Sequence, residues 1–278
     1  MVGLVKRSRL LAPVLVLAAG CGRAAPGNTE SSRPDALSGR NTGTPAQKRV
    51  GEPVADVRLS YTTNFDMNES ALSERGAWLT DRDPLQRPVS VVNGIAFGTQ
   101  TGLEAASKNY NDSEAWLSGT FPSDQRVSAL IHKEPGLSGG YQEVEILLRW
   151  SVGAMRTGLP YGDTHSYGYE INLAWDGQYS CIAQFKETAM FDSLVSGSPT
   201  TALGVQDGDI FTAEIVGNTI TALLTRQGTT MILGSATDDS DSPVTTGTPG
   251  IGFFRGTSPG STTNSQSFGF SSFTASAL

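Results

Sequence analysis

From residue 57 onward, apolar and polar positions alternate with a period of two, in runs rich in β-branched and aromatic residues. The runs are VRLSYTTNF (57–65), VSVVNG (89–94), RVSALIHKE (126–134), YQEVEILLRW (141–150), HSYGYEINLAW (165–175), YSCIAQFKE (179–187), DIFTAEIVG (209–217), NTITALLTR (218–226), GIGFFRG (250–256) and SFGFSSFTA (267–275). Gly, Pro, Asn and Asp punctuate them, as they do between the strands of a sandwich or barrel. No stretch sustains a helical period, so no βαβ unit and no dinucleotide fold is available. The pattern predicts one all-β domain over residues 55–278, a length that all-β folds commonly fill as a single unit.

The run YQEVEILLRW carries the clearest split between faces. Strict alternation puts Val144, Ile146, Leu148 and Trp150 on one side, read as core, and Tyr141, Glu143, Glu145, Leu147 and Arg149 on the other. Carboxylates and a guanidinium beside an aromatic ring suit the hydroxyls and the apolar side of a sugar. Glu170 and Asn172 from HSYGYEINLAW extend that face, and Gln184 and Lys186 are expected to project near it. The candidate glycan-binding residues are thus Tyr141, Glu143, Glu145, Arg149, Glu170 and Asn172. Of the tryptophans, Trp116 in NDSEAWLSG reads as exposed. Cys181 reads as a small buried hydrophobe in a strand, and the acidic stretch DDSD (238–241) as a solvated turn. No Cys/His spacing suggests zinc, and no metal ligand set is expected.

The amino-terminal part changes the picture of where this domain resides. Lys6, Arg7 and Arg9 precede an apolar run from Leu10 to Ala19, followed by Ala18-Ala19-Gly20-Cys21, the order of a secretory signal. The run falls short of the roughly 20 apolar residues of a spanning helix. The last positions resemble the lipobox of bacterial lipoproteins, which implies a signal peptide over 1–20, acylation of Cys21 and attachment to the cell envelope, at an outer membrane if one exists. Residues 21–54 are rich in Gly, Ala, Pro, Ser and Thr and hold no aromatic, so they read as a disordered tether. Formal net charge is −7; residues 1–20 hold three basic residues and no acid, which leaves −10 for the mature chain. Nucleic acid is not an expected partner, because phosphate backbones are bound by clustered Lys and Arg.

The succession DGDIFTAEIVGNTITALLTRQGTTMILGSATDDSDSPVTTGTPGIGFFRG (207–256) has a strand, the turn Gly217-Asn218, a second strand, the turn Gln227-Gly228, a third short strand and then Pro249-Gly250-Ile251-Gly252-Phe253. It resembles the concanavalin A-like, or laminin G-like, jelly roll, with SFGFSSFTA as its closing strand. The resemblance implies a sandwich of two antiparallel sheets over about residues 57–278, with the polar face of YQEVEILLRW on the glycan-binding side. It also implies enzymes to weigh. Laminarinase-like hydrolases of this fold use Glu-x-Asp-x-x-Glu, but after Glu143 and Glu145 this chain has Leu148 at the acid/base position. Lyases of this fold use His, Tyr and Arg, for which His132, Tyr141 and Arg149 are the candidates, with His165 in a loop or at a strand end. Relatives often hold a structural calcium; Asp66 remains near the start, but the closing FSSF lacks the acidic pair, and no cofactor is expected. The expectation is a lipid-anchored envelope protein that binds carbohydrate without turning it over. The alternatives are a polysaccharide-active enzyme on the same face and a structural or adhesive protein with no small ligand.

Overall fold

The computed structural model describes residues 59–80, 87–100, 112–137, 141–153, 166–177, 180–186, 191–197, 204–256 and 265–278. The segments expected as signal peptide (1–20) and tether (21–54), with Cys21, and also His165, lie outside the described residues. Among the described residues, fifteen strands form two antiparallel sheets. One is built from β13 (Thr229–Thr237), β12 (Thr219–Arg226), β11 (Ile210–Val216), β6 (Gln125–Lys133), β15 (Phe268–Ala277), β4 (Ile95–Gly98) and β3 (Val89–Val92) in that order, with β1 (Ser60–Thr63) also on β15. The other runs β10 (Phe191–Gly197), β9 (Ser180–Lys186), β8 (Ser166–Ala174), β7 (Tyr141–Val152), β14 (Thr248–Gly256), β5 (Ser113–Leu117) and β2 (Trp78–Thr80). This is the jelly-roll sandwich that the strand pattern and the resemblance predicted.

Turn chemistry sets the register of the hairpins. Asn93-Gly94 and Gln227-Gly228 both have positive φ at their two positions, the backbone that a tight two-residue hairpin requires. Gly217-Asn218 joins β11 to β12, with Val216 opposite Thr219. Period-two alternation then delivers one apolar set per strand to the space between the sheets. Val127, Ala129 and Ile131 of β6, Phe211, Ala213 and Ile215 of β11, and Phe270, Phe273 and Ala275 of β15 meet Val144, Ile146, Leu148, Ile171, Leu173, Ile251 and Phe253 of the other sheet. Trp78 closes one end of this core against Tyr61, Phe65 and Phe273.

Three strands of the smaller sheet escape the pattern: β2, β5 and β10. The short segment SEAWL forms β5, next to β14, with Ser113 and Glu114 buried along with Ala115, Trp116 and Leu117. Buried polar residues mask its strand character. Trp116 is accordingly buried, not exposed.

Alternation also fails once, with consequences for the site. Arg149 has φ of 51°, and the pairing of β7 with β8 shifts register between Leu148 and Ser151. This β-bulge inserts one residue and exchanges the faces of the residues beyond it. Trp150 therefore joins Leu147, Trp116, Cys181, Ala183 and Phe185 on the outer face of the sheet, not the core between the sheets. Arg149 leaves the polar face to which strict alternation assigned it. Its guanidinium is buried at the rim, donating from Nε to the Ser123 carbonyl at 2.7 Å, from Nη1 to Val244 at 2.7 Å and from Nη2 to Gly217 at 2.6 Å. Two glycines admit the bulge. A Cβ on Gly247, where φ is 136°, would overlap the Arg149 carbonyl, and one on Gly168 would strike the Trp150 ring.

Candidate functional site

On the outer face of the smaller sheet, strand pairing places residues of neighbouring strands in rows. Glu114, Gly252, Glu145, Asn172 and Cys181 stand opposite one another across β5, β14, β7, β8 and β9. The next row is Trp116, Gly250, Leu147, Glu170 and Ala183. On the other side of the first row, Phe254, Glu143 and Ala174 are opposite one another, and Asp112 precedes β5 on the same side as Glu114. Cys181 is buried, its sulfur 3.6 Å from the Ser193 hydroxyl.

The two glycines of β14 make a trough in the middle of this face. A Cβ on Gly250 would crowd Trp116 and the Ala115 carbonyl, and one on Gly252 would overlap the Glu145 carboxylate. Side chains of the flanking strands lean across the gap, and the Trp150 indole N–H donates to Glu114 Oε2 at 3.2 Å. Phe185 packs edge-on against Trp150 with ring centroids 5.2 Å apart. The rim of the face keeps slight contact with solvent: Trp116, Phe185 and Phe254 are each 8 % exposed and Glu143, Glu170 and Asn172 each 7 %, against 0 % for Val144 and Ile146 in the core.

One carboxylate oxygen from each of Asp112, Glu145 and Glu170 lies within 4.8 Å of the other two. Burial, and then the neighbouring negative charges, push the carboxyls of Glu145 and Glu170 well above the usual carboxylate range, and Glu143 shifts the same way for the same reasons. Asp112 keeps some exposed surface but its Oδ1 has none, and burial raises its carboxyl to about 7. Asn172 Nδ2 donates to Glu170 Oε1 at 3.4 Å. Asp112 Oδ1, Glu145 Oε2, Glu170 Oε2 and Asn172 Oδ1 are all buried with no hydrogen-bond partner among the described residues. Such orphaned acceptors are uncommon in native interiors and call for a reason.

The residues expected at the site are therefore divided. Glu143, Glu145, Glu170 and Asn172 share the outer face, as the alternation predicted. Tyr141 opens β7 opposite Gly256, and its side chain lies outside the described residues. Arg149 is removed from the face by the bulge. His132 is in the other sheet, where its Nδ1 is 3.4 Å from Asp207 Oδ1. Arg149 thus points away from the acidic face and His132 belongs to the opposite sheet, so the two do not form one lyase-type centre. Gln184 and Lys186 point between the sheets, donating to Asp238 and to Ser240 respectively. Asp238 is buried and also accepts from Tyr169 Oη at 2.6 Å and from the Ser240 hydroxyl at 2.6 Å, so DDSD is a solvated turn only at Asp239 and Asp241. Asp66 is exposed and apart from the carboxylate cluster. Asp112, Glu114 and Gly252 are additions that the strand pattern did not supply. The signal for the first two was legible: Asp112-x-Glu114-x-Trp116 repeats the spacing of Glu143-x-Glu145-x-Leu147.

No family model and no curated protein matches this chain. Solved structures do. The exoplasmic/lumenal domain of VIP36 in its Ca2+/Man2-bound form is 10 % identical with a TM-score of 0.50, over 79 % of this chain and 88 % of that one. Its Ca2+-bound form gives the same identity and TM-score over 79 % and 90 %. The carbohydrate-binding module CBM66 from Bacillus subtilis is 14 % identical with a TM-score of 0.43, over 67 % of this chain and 96 % of that one. At these identities the VIP36 likeness shows a shared jelly-roll fold.

Proposed function

We propose that this chain is an envelope-tethered carbohydrate-binding protein whose binding face is the outer face of the smaller sheet. The observation that carries the reading is the composition of that face. Carboxylates and an amide stand among Trp116, Phe185 and Phe254, the aromatics of that face that reach solvent, and aromatic rings beside fixed polar acceptors suit a ring that is apolar on one side and hydroxylated at its edges. The fold shared with the Man2-bound VIP36 domain agrees with this reading. A glycan panel probed with the full chain is the test. Binding of at least one neutral polysaccharide is expected between millimolar and micromolar affinity, about −4 to −8 kcal/mol. Glu143→Gln with Phe185→Leu should weaken it at least tenfold in a chain that remains folded. No binding across the panel would leave a structural or adhesive role.

One observation favours an enzyme as the second reading. A carboxyl raised by burial to about 7, as that of Asp112 is, lies in the range suited to a general acid. Release of reducing sugar from a bound polysaccharide would select it, and binding without release would dismiss it.

The tether rests on the sequence of residues 1–21. Acylation of Cys21 by more than one chain would hold the domain stably at a membrane. Fatty-acid labelling should be present in the wild type and absent in Cys21→Ser. An intact mass showing an unlipidated chain with its two cysteines, Cys21 and Cys181, oxidised to one another would overturn the anchor.

A further inference from the structure

The carboxylate cluster of the smaller sheet poses a problem that carbohydrate binding does not solve. Asp112, Glu145 and Glu170 come from the approach to β5, from β7 and from β8, and their oxygens converge within 4.8 Å. Glu145 is 1 % exposed and Glu170 7 %, so any negative charge on them would lie in a low-dielectric interior where mutual repulsion is weakly screened. Among the described residues, one buried carboxylate oxygen of each of the three has no partner, and the Asn172 amide oxygen, in a residue also 7 % exposed, has none either. A neutral acceptor left unpaired beside unpaired carboxylates needs a donor or a positive charge, not a further acceptor.

We infer that Asp112, Glu145, Glu170 and the Asn172 amide oxygen form a binding site for a calcium-like divalent cation. The donor set is all oxygen, which suits a hard cation; zinc and the softer metals favour His and Cys. Calcium takes its oxygens at 2.3–2.6 Å, so two ligands on opposite sides of one ion stand about 4.6–5.2 Å apart, a span that accommodates this cluster. Magnesium, at 2.0–2.1 Å, needs a tighter octahedron and keeps most of its waters. The strands supply the rigidity: Glu145 is opposite Asn172, and Glu170 is two residues along the same face of β8. Gly252 supplies the room, since any side chain there would displace the Glu145 carboxylate. The site stands whether or not a glycan binds the same face.

The test uses the full chain stripped with chelator and titrated with calcium chloride, with melting temperature and calorimetric stoichiometry as readouts. One ion should bind per chain and raise the melting temperature. Terbium should bind in its place and show luminescence sensitised by the tryptophans of this face, displaced by added calcium. Glu145→Gln with Glu170→Gln should weaken calcium binding by roughly a hundredfold or more. Asp239→Asn with Asp241→Asn, which alters the exposed acids of the 238–241 turn, should leave it unchanged. If the double Gln variant fails to fold, Asp112→Asn decides, with the same loss expected. Absence of one-to-one binding by the wild type, or its retention in a folded Glu145/Glu170 or Asp112 variant, would overturn the site.

Discussion

Two groups of buried polar side chains in the smaller sheet are handled in opposite ways. At the rim near residues 238–247, Arg149 meets three carbonyls, and Asp238 accepts from Tyr169, Gln184 and Ser240. On the outer face, Asp112, Glu145, Glu170 and Asn172 gather acceptors with few donors among the described residues. The first arrangement is finished by the chain itself and serves the fold. The second is unfinished, which stability alone would not select, because a buried charge without a partner costs several kcal/mol. Between these two groups, satisfied against unsatisfied burial separates scaffold from site where the residue types alone do not.

The largest effect should come from breaking the finished region. Arg149→Met would strip donors from three carbonyls, and chemical denaturation of the full chain should show a loss of about 3–5 kcal/mol. Gly247→Ala should cost about 1–3 kcal/mol by the same measurement, since the added methyl meets the Arg149 carbonyl at a backbone conformation that L-residues rarely adopt. The unfinished region should respond with the opposite sign. Glu145→Gln in chelator should raise stability by about 1–2 kcal/mol at alkaline pH, where the wild-type carboxyl must ionise among like charges, and by less at neutral pH, because burial and its acidic neighbours hold that carboxyl well above the usual range. A loss at alkaline pH instead would mean that the cluster is neutralised by other means, and the contrast between the two regions would fail.

Titration sharpens the contrast at smaller amplitude. The Asp112 carboxyl, raised from 3.8 to about 7 by burial, holds a proton in the folded chain that the unfolded chain has released. That contribution is complete below pH 3.8 and is lost as pH rises through about 7, so the cation-free chain should melt lower at pH 8 than at pH 5, and less so as Asp112→Asn. Burial alone would raise Asp238, but the hydrogen bonds from Ser240 and Tyr169 outweigh it and hold this carboxyl below 3.8. Its contribution is complete above pH 3.8 and is lost as pH falls through its folded value. An acid scan of melting temperature should therefore show a steeper drop in the wild type than in Asp238→Asn.

Most of the fold was legible because period-two alternation is a local property and turns such as Asn93-Gly94 and Gly217-Asn218 announce themselves. Glu143, Glu145, Glu170 and Asn172 fall on one face for the same reason. The misplacement of Arg149 and Trp150 has a single cause. A bulge is one inserted residue whose signature is spread over Arg149, Gly168 and Gly247, distant in sequence and adjacent only once the strands pair. Asp112 and Glu114 carried a legible spacing but no apolar run around it, so they read as a solvated edge until the neighbours that bury them are known.

The position of the last strand bears on how this chain reaches its folded state. β15 lies inside the larger sheet, with β6 along one side and β4 and β1 along the other, so Ser60 is paired with Ser276 and Phe270 with both Ile131 and Ala96. Until residues 268–277 emerge from the ribosome, β6 and β4 have nothing to join them, and the apolar side chains of half the sandwich have no closed layer to enter. Contacts that distant along the chain form slowly. Export, as proposed above, would then act on a nascent polypeptide that is still unfolded, the state in which a chain can be threaded through a narrow channel.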